Sequence, residues 1–202
     1  MRPSRLLAFA AVLALAAPPA LPAAAQALRP TTVILVRHAE KATANPLDRN
    51  PPLSPEGRRR ARALAAALRG RRVNAILVTQ FKRTRETAAP LAASRGIAPQ
   101  ETRMGRDSDE AAAEVVSLIR ARHLGQTVVV VGHSTTVPKI IALLGGPRLR
   151  PLCENAYSHL YTLVIPRSGT ASLAHTHFGA ADPPDTRECV DGHFPSVPAR
   201  QR

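Results

Sequence analysis

Thr32-Val33-Ile34-Leu35-Val36, followed at once by Arg37-His38, is the stretch that decides the fold. A continuous apolar, mostly β-branched run is how a strand buried on both faces of a parallel sheet reads, because helices cover both sides and leave no alternating wet face. Val128-Val129-Val130-Val131 repeats the pattern and runs directly into Gly132-His133-Ser134, and Ala75-Ile76-Leu77-Val78 is a third, shorter strand. Helical segments lie between them. Ser54-Pro55-Glu56 opens one, with Ser as cap and Pro at the first helical position. Ala61, Leu64, Ala65 and Leu68 then recur at i, i+3, i+4 and i+7, Arg58, Arg59, Arg62 and Arg69 suit the wet face, and Gly70 ends the helix. Thr79-Gln80-Phe81-Lys82 leads into a second helix from about Arg83, which Pro90 is expected to kink or shorten. A third runs from about Asp109 to Arg122, with Asp109 and Glu110 favouring its dipole, and a short apolar one spans Val137 to Leu144. Two strand-like stretches, Tyr157 to Ile165 and Ala171 to Phe178, flank the turn Pro166-Arg167-Ser168-Gly169. Strands alternating with helices predict a three-layer α/β/α sandwich around a mostly parallel central sheet.

The ends of the chain read differently from this middle. Arg2 and Arg5 precede an uncharged apolar run from Leu6 to Ala17, shorter than the ~20 residues a membrane-spanning helix needs, and Ala25-Gln26-Ala27 offers an A-x-A cleavage site. Residues 1–27 therefore read as a signal peptide cut after Ala27, which predicts a periplasmic or secreted protein. Residues 28–180 read as one domain and residues 181–202 as a proline-rich tail. In an oxidising compartment Cys153 and Cys189, the only cysteines, are a disulfide candidate. The net charge of +14 favours anionic partners. No Trp, two Tyr and four Phe leave few rings to stack on bases, so nucleic acid is not the expected partner. A phosphorylated small molecule, an envelope component or another anionic surface suits the charge and compartment.

Two strand ends carry histidine, Val36-Arg37-His38 and Val131-Gly132-His133. Ligand crevices of open α/β sheets lie beyond the carboxyl ends of the strands, so both imidazoles are expected at one edge, and the third unit delivers Arg83 there. Two imidazoles and two guanidinium groups suit a dianion. Phosphoryl transfer asks the protein for positioning and cationic donors, and a neutral imidazole is a competent nucleophile toward phosphorus. The surrounding cations should lower its pKa.

Val-Arg-His-Ala-Glu-Lys, Leu-Ser-Pro-Glu-Gly, Arg83-Thr84-Arg85-Glu86-Thr87-Ala88 and Val-Gly-His-Ser, in that order, resemble the histidine phosphatase superfamily, phosphoglycerate mutase-like branch, across most of residues 32–165. The resemblance implies hydrolysis of a phosphomonoester or phosphohistidine through a phosphorylated His38. Arg37 and Arg83 would clamp the phosphoryl oxygens, His133 would complete the pocket, and Ser134 is a further substrate-binding candidate. It implies no metal and no cofactor. A mutase is disfavoured, since the chain has little room for the inserted segments that hold a bisphosphorylated substrate.

The general acid is less distinct: Glu40 is nearest His38 in sequence, with Asp107, Asp109 and Glu110 as alternatives and a salt bridge to a rim arginine as the competing role for Glu40. One rival function is a non-catalytic phosphate-binding module on the same fold. Another is a serine hydrolase using Ser134 with Asp182, Asp185 and His193, but Thr136 stands where a nucleophile elbow wants Gly. His175-Thr176-His177 puts two imidazoles on one strand face, a spacing a metal can use, though solvent exposure is the expectation. His123, His159 and His193 have no partner legible in the sequence.

Overall fold

The computed structural model describes residues 29–183. The expected signal peptide, the end of the tail, Cys189, Asp185 and His193 lie outside the described residues. In chain order the elements are β1 (Thr31–Arg37), α1 (Pro55–Ala67), β2 (Ala75–Thr79), α2 (Lys82–Arg95), β3 (Gln100–Thr102), α3 (Ser108–Arg122), β4 (Thr127–Gly132), α4 (Thr136–Leu143), β5 (His159–Ile165) and β6 (Ser172–His177). The strands form one sheet in the order β3-β2-β4-β1-β5-β6. β3, β2, β4 and β1 run parallel, and β5 and β6 close one side antiparallel.

Both faces are buried, as the continuous apolar runs require. Val33, Leu35, Leu77, Val128 and Val130 pack on one face with Ala112, Val116 and Ile119 of α3 and with Ile140 and Ile141 of α4. Ile34, Val36, Ile76, Val78, Val129 and Val131 pack on the other with Leu64 of α1 and Ala88 and Leu91 of α2. Each of the buried Val, Leu and Ile side chains contributes roughly 1.5–3 kcal/mol by leaving water. The result is the expected three-layer sandwich, with a mostly parallel sheet.

Three local features depart from the sequence reading. α2 runs through Pro90 to Arg95. The missing amide at position 90 is outweighed by burial of Ala88, Leu91 and Ala92 against the sheet. β3 was not expected: Gln100 and Glu101 are exposed, and the strand exists through its parallel pairing with β2. The chain also stays on the domain beyond residue 180, because the Asp182 carboxylate accepts the Tyr157 and Ser158 amides at 2.9 and 3.0 Å. Among the described residues no helix is long and apolar enough to cross a membrane. Cys153 is disulfide-bonded and no described cysteine is free.

Candidate active site

The register of the two central strands builds the site. β1 and β4 pair in parallel with Arg37 opposite Gly132, and the His38 amide donates to the Gly132 carbonyl at 2.9 Å. His38 and His133 therefore leave the same sheet edge side by side, with ring centroids 5.3 Å apart and planes at 67°. Gly132 is required here: a Cβ would lie 2.9 Å from Thr136 Oγ1, the atom that accepts the His133 amide at the start of α4.

The backbone after His38 is clamped by two helices. The Ala39 amide donates to Thr87 Oγ1 at 2.9 Å, and that hydroxyl donates to the Arg83 carbonyl at 2.7 Å. On the other side the Glu40 carbonyl accepts the Ser54 amide at 2.9 Å. It presses so closely on Gly57 that a Cβ there would sit 2.1 Å away. The Ser-Pro-Glu-Gly motif thus begins a helix and also leaves room for the loop after His38. In this clamp His38 Nδ1 lies 2.8 Å from the Ala39 carbonyl. A carbonyl only accepts, so Nδ1 carries the proton and Nε2 the lone pair. Burial, chiefly, with help from His133, Arg37 and Arg83, lowers the His38 pKa to about 2 against the raising effect of the Ala39 bond.

A second chain of hydrogen bonds fixes His133. Thr84 Oγ1 lies 3.0 and 2.9 Å from the carbonyls of Thr79 and Phe81, which commits its one proton. Thr79 must then donate to Thr84 Oγ1 at 2.9 Å and accept from His133 Nε2–H at 3.1 Å. The neutral ring keeps its lone pair on Nδ1. Burial, then Arg83 and Arg37, lower its pKa to about 3.

The two arginines are held differently. Both Nη1 protons of Arg37 go to the carbonyls of Cys153 and Glu154, and Nη2 reaches the exposed Glu154 carboxylate at 3.2 Å. Its Nε–H is buried without a hydrogen-bond partner among the described residues. Arg37 thus keeps Nε–H and one Nη2–H, the edge that grips two oxygens of one anion. The Arg83 guanidinium lies 4.2 Å over the Phe81 ring and makes no hydrogen bond among the described residues. Burial and the nearby charge of Arg37 lower its pKa. Arg83 also lines a 460 Å³ cavity with Lys41, Arg49 and Asp48, a mainly cationic hollow.

Of the other sequence candidates, Glu40 gives Oε1 to Arg60, with Nε at 2.9 Å and Nη2 at 2.8 Å, while its Oε2 is buried without a hydrogen-bond partner among the described residues. Asp107 caps α3 through the Asp109 and Glu110 amides, Asp109 pairs with Lys139, and Glu110 with Arg106. Ser134 follows His133 at the same edge, but its hydroxyl bonds to no histidine among the described residues, and Asp182 is held by Ser158. Sequence reasoning missed Thr79, Thr84, Thr87 and Tyr157. Thr84 and Thr87 sit inside the quoted Arg83 motif, where their spacing is the available signal. Tyr157, whose ring lies 4.4 Å from the Arg37 guanidinium and 6.3 Å from His38, offered none.

Buried imidazoles flanked by arginines at the open edge of an α/β/α sandwich suit an oxyanion. The family model of the histidine phosphatase superfamily (branch 1) matches residues 33–105, so over this stretch the chain is similar to that superfamily. No curated protein matches the chain. Among solved structures, the protein histidine phosphatase SixA complexed with tungstate is 21% identical, with 72% of this chain and 96% of that one covered at a TM-score of 0.57. The mycobacterial glucosyl-3-phosphoglycerate phosphatase Rv2419c is 17% identical over 76% and 100%, at 0.55. Bacillus stearothermophilus YhfR is 22% identical over 71% and 95%, at 0.56. These likenesses are of fold.

Proposed function

We propose that the protein hydrolyses a phosphomonoester or a phosphohistidine by way of a phosphorylated His38. The observation that carries this reading is the bond from His38 Nδ1–H to the Ala39 carbonyl, which leaves the lone pair of a ring kept neutral by burial on Nε2. Nε2 attacks phosphorus in line and the leaving group departs. The oxygens of the transferring group meet the free edge of Arg37 and the uncommitted donors of Arg83. The dianion draws a proton onto His133 Nδ1, converting it to a further donor. Water then displaces His38 from phosphorus and releases phosphate. Glu40 Oε2 is the oxygen proposed to protonate the leaving group, since Oε1 belongs to Arg60.

Turnover of p-nitrophenyl phosphate and of a phosphohistidine peptide between about pH 4 and pH 8, with His38→Ala as control, tests the reading. Vanadate inhibition and an acid-labile phosphoenzyme absent from the variant are the expected results. Tight phosphate binding without turnover would instead establish the anion-binding module. Glu40→Gln should slow alkyl phosphates and spare p-nitrophenyl phosphate, whose leaving group needs no proton. The charge and the N-terminal apolar run support an envelope phosphate as substrate. That extension fails if envelope phosphates are hydrolysed no better than free sugar phosphates at matched salt.

A further inference from the structure

On β5 and β6, the two strands that follow β1 in the sheet, three imidazoles meet at the same edge as His38. β5 and β6 pair antiparallel with His159 opposite His177 and Tyr161 opposite His175, so His159, His175 and His177 share one face. Each offers a nitrogen within 4.8 Å of the others. His159 is buried and the other two are exposed.

The shell behind the rings assigns their protons. The Asp182 carboxylate is pinned by the Tyr157 and Ser158 amides and lies 3.7 Å from Arg60 Nη2. Ser158 Oγ–H donates to Asp182 Oδ2 at 2.7 Å, so Ser158 Oγ accepts from His177 Nδ1–H at 2.8 Å. That leaves the lone pair of His177 on Nε2. His159 turns Nε2 toward Asp182 Oδ2 at 3.7 Å and Nδ1 toward His175 Nε2 at 2.7 Å. The His177 ring is therefore backed through one hydroxyl by an anchored carboxylate, which also lies 3.7 Å from His159 Nε2, beyond hydrogen-bond reach. This is how proteins orient metal-ligating histidines, with the carboxylate holding the outer N–H and raising ligand basicity.

We infer that His159 Nδ1, His175 Nε2 and His177 Nε2 bind a late first-row divalent cation, with Zn²⁺ as the reference ion. Imidazole donors select this class over Mg²⁺ and Ca²⁺, which take oxygen ligands. Zn–N bonds of about 2.0–2.1 Å in tetrahedral geometry separate ligand nitrogens by roughly 3.3 Å. The 2.7 Å pair opens by a few tenths of an ångström as the ion replaces the proton it shares, and the exposed His177 ring swings inward. Three ligands leave a fourth position to water. The ion ties the edge strand β6 to β5 and the Asp182 segment, beside Tyr157 and Arg37.

Calorimetric titration of the metal-stripped full-length protein with ZnCl₂ tests this. One ion is expected to bind at micromolar affinity or better, accompanied by a rise in Tm. The double variant His175→Gln/His177→Gln, altered at exposed positions, should lose at least about 100-fold while keeping its circular dichroism and metal-free Tm. Asp182→Asn should lose roughly 10- to 100-fold although it ligates nothing. Unchanged affinity in the double variant overturns the inference. So does loss of binding in His38→Ala, which would place the ion between His38 and His133 instead. Neither result bears on the phosphatase reading, which p-nitrophenyl phosphate turnover of the same variants reports separately.

Discussion

At the ends of β1 and β4, His38 and His133 lie buried among Arg37, Arg83 and hydroxyls. At the ends of β5 and β6, His159, His175 and His177 gather around Asp182 and Ser158, with two rings exposed. Both groups occupy the same edge of one sheet and use the same side chain. What differs is what stands behind each ring. Behind the first pair, guanidinium groups and burial favour the neutral form and supply donors, which is the chemistry of an anion site. Behind the second, an anchored carboxylate holds outward protons and turns lone pairs inward, which is the chemistry of a cation site. Imidazole accepts either role, and the neighbouring charges choose it.

The strongest way to break this contrast is at the nucleophile. His38→Ala should lower kcat on p-nitrophenyl phosphate by roughly 10³-fold or more, because no other described group has its position and free lone pair. Arg83→Ala should lower kcat/KM by about 10²–10³-fold, the cost of one preorganised donor to a developing charge. Arg83→Lys should recover part of that, since the charge returns without the planar fork. An Arg83→Ala variant as active as the parent would mean that the cations are surface decoration.

Stability against pH sharpens the contrast from the other side. The folded-state pKa values of His38 and His133, about 2 and about 3, lie below the ordinary 6.5. The unfolded chain therefore binds up to two more protons as pH falls below 6.5. Their contribution is fully present above pH 6.5 and is lost as pH drops toward 3, with a slope of up to about 2.7 kcal/mol per unit. Urea unfolding at stepped pH measures it. His133→Gln should halve the contribution, and a slope indifferent to His38 and His133 substitutions would show that neither ring is held neutral.

Much of the anion site was legible because it rests on short-range patterns. Continuous apolar runs announce buried parallel strands, and histidine immediately after two of them places both rings at one edge. The cation site was not legible, because it rests on register. His175 and His177 announce themselves by spacing, but His159 joins them only through an antiparallel pairing that no local signal fixes. Asp182 is hidden for a related reason: it lies in a stretch whose composition reads as tail, yet backbone amides anchor it. The Glu40–Arg60 pair joins α1 to the loop after His38, a pairing that sequence could name only as the competing role for the acid candidate Glu40. β3 carries no hydrophobic signature and exists only because β2 offers an edge.

The smallest predicted effect tests the finest part of the contrast, the proton on His133. Thr79 stands between Thr84 and the imidazole, and its hydroxyl is the group that assigns the ring's tautomer. Thr79→Val keeps shape and β-branching while removing the acceptor, leaving a buried N–H unsatisfied at a cost of roughly 1–3 kcal/mol of stability. The ring can then place its proton on either nitrogen. Only one choice leaves Nδ1 ready to take a proton beside a phosphoryl dianion, so kcat should fall by about 3- to 10-fold with little change in KM. Thr79→Ser restores the hydroxyl without the methyl and should restore kcat even if stability does not return. Because a packing role would follow the methyl and a proton-placing role the hydroxyl, the two substitutions together decide whether Thr79 positions the proton or merely fills the core.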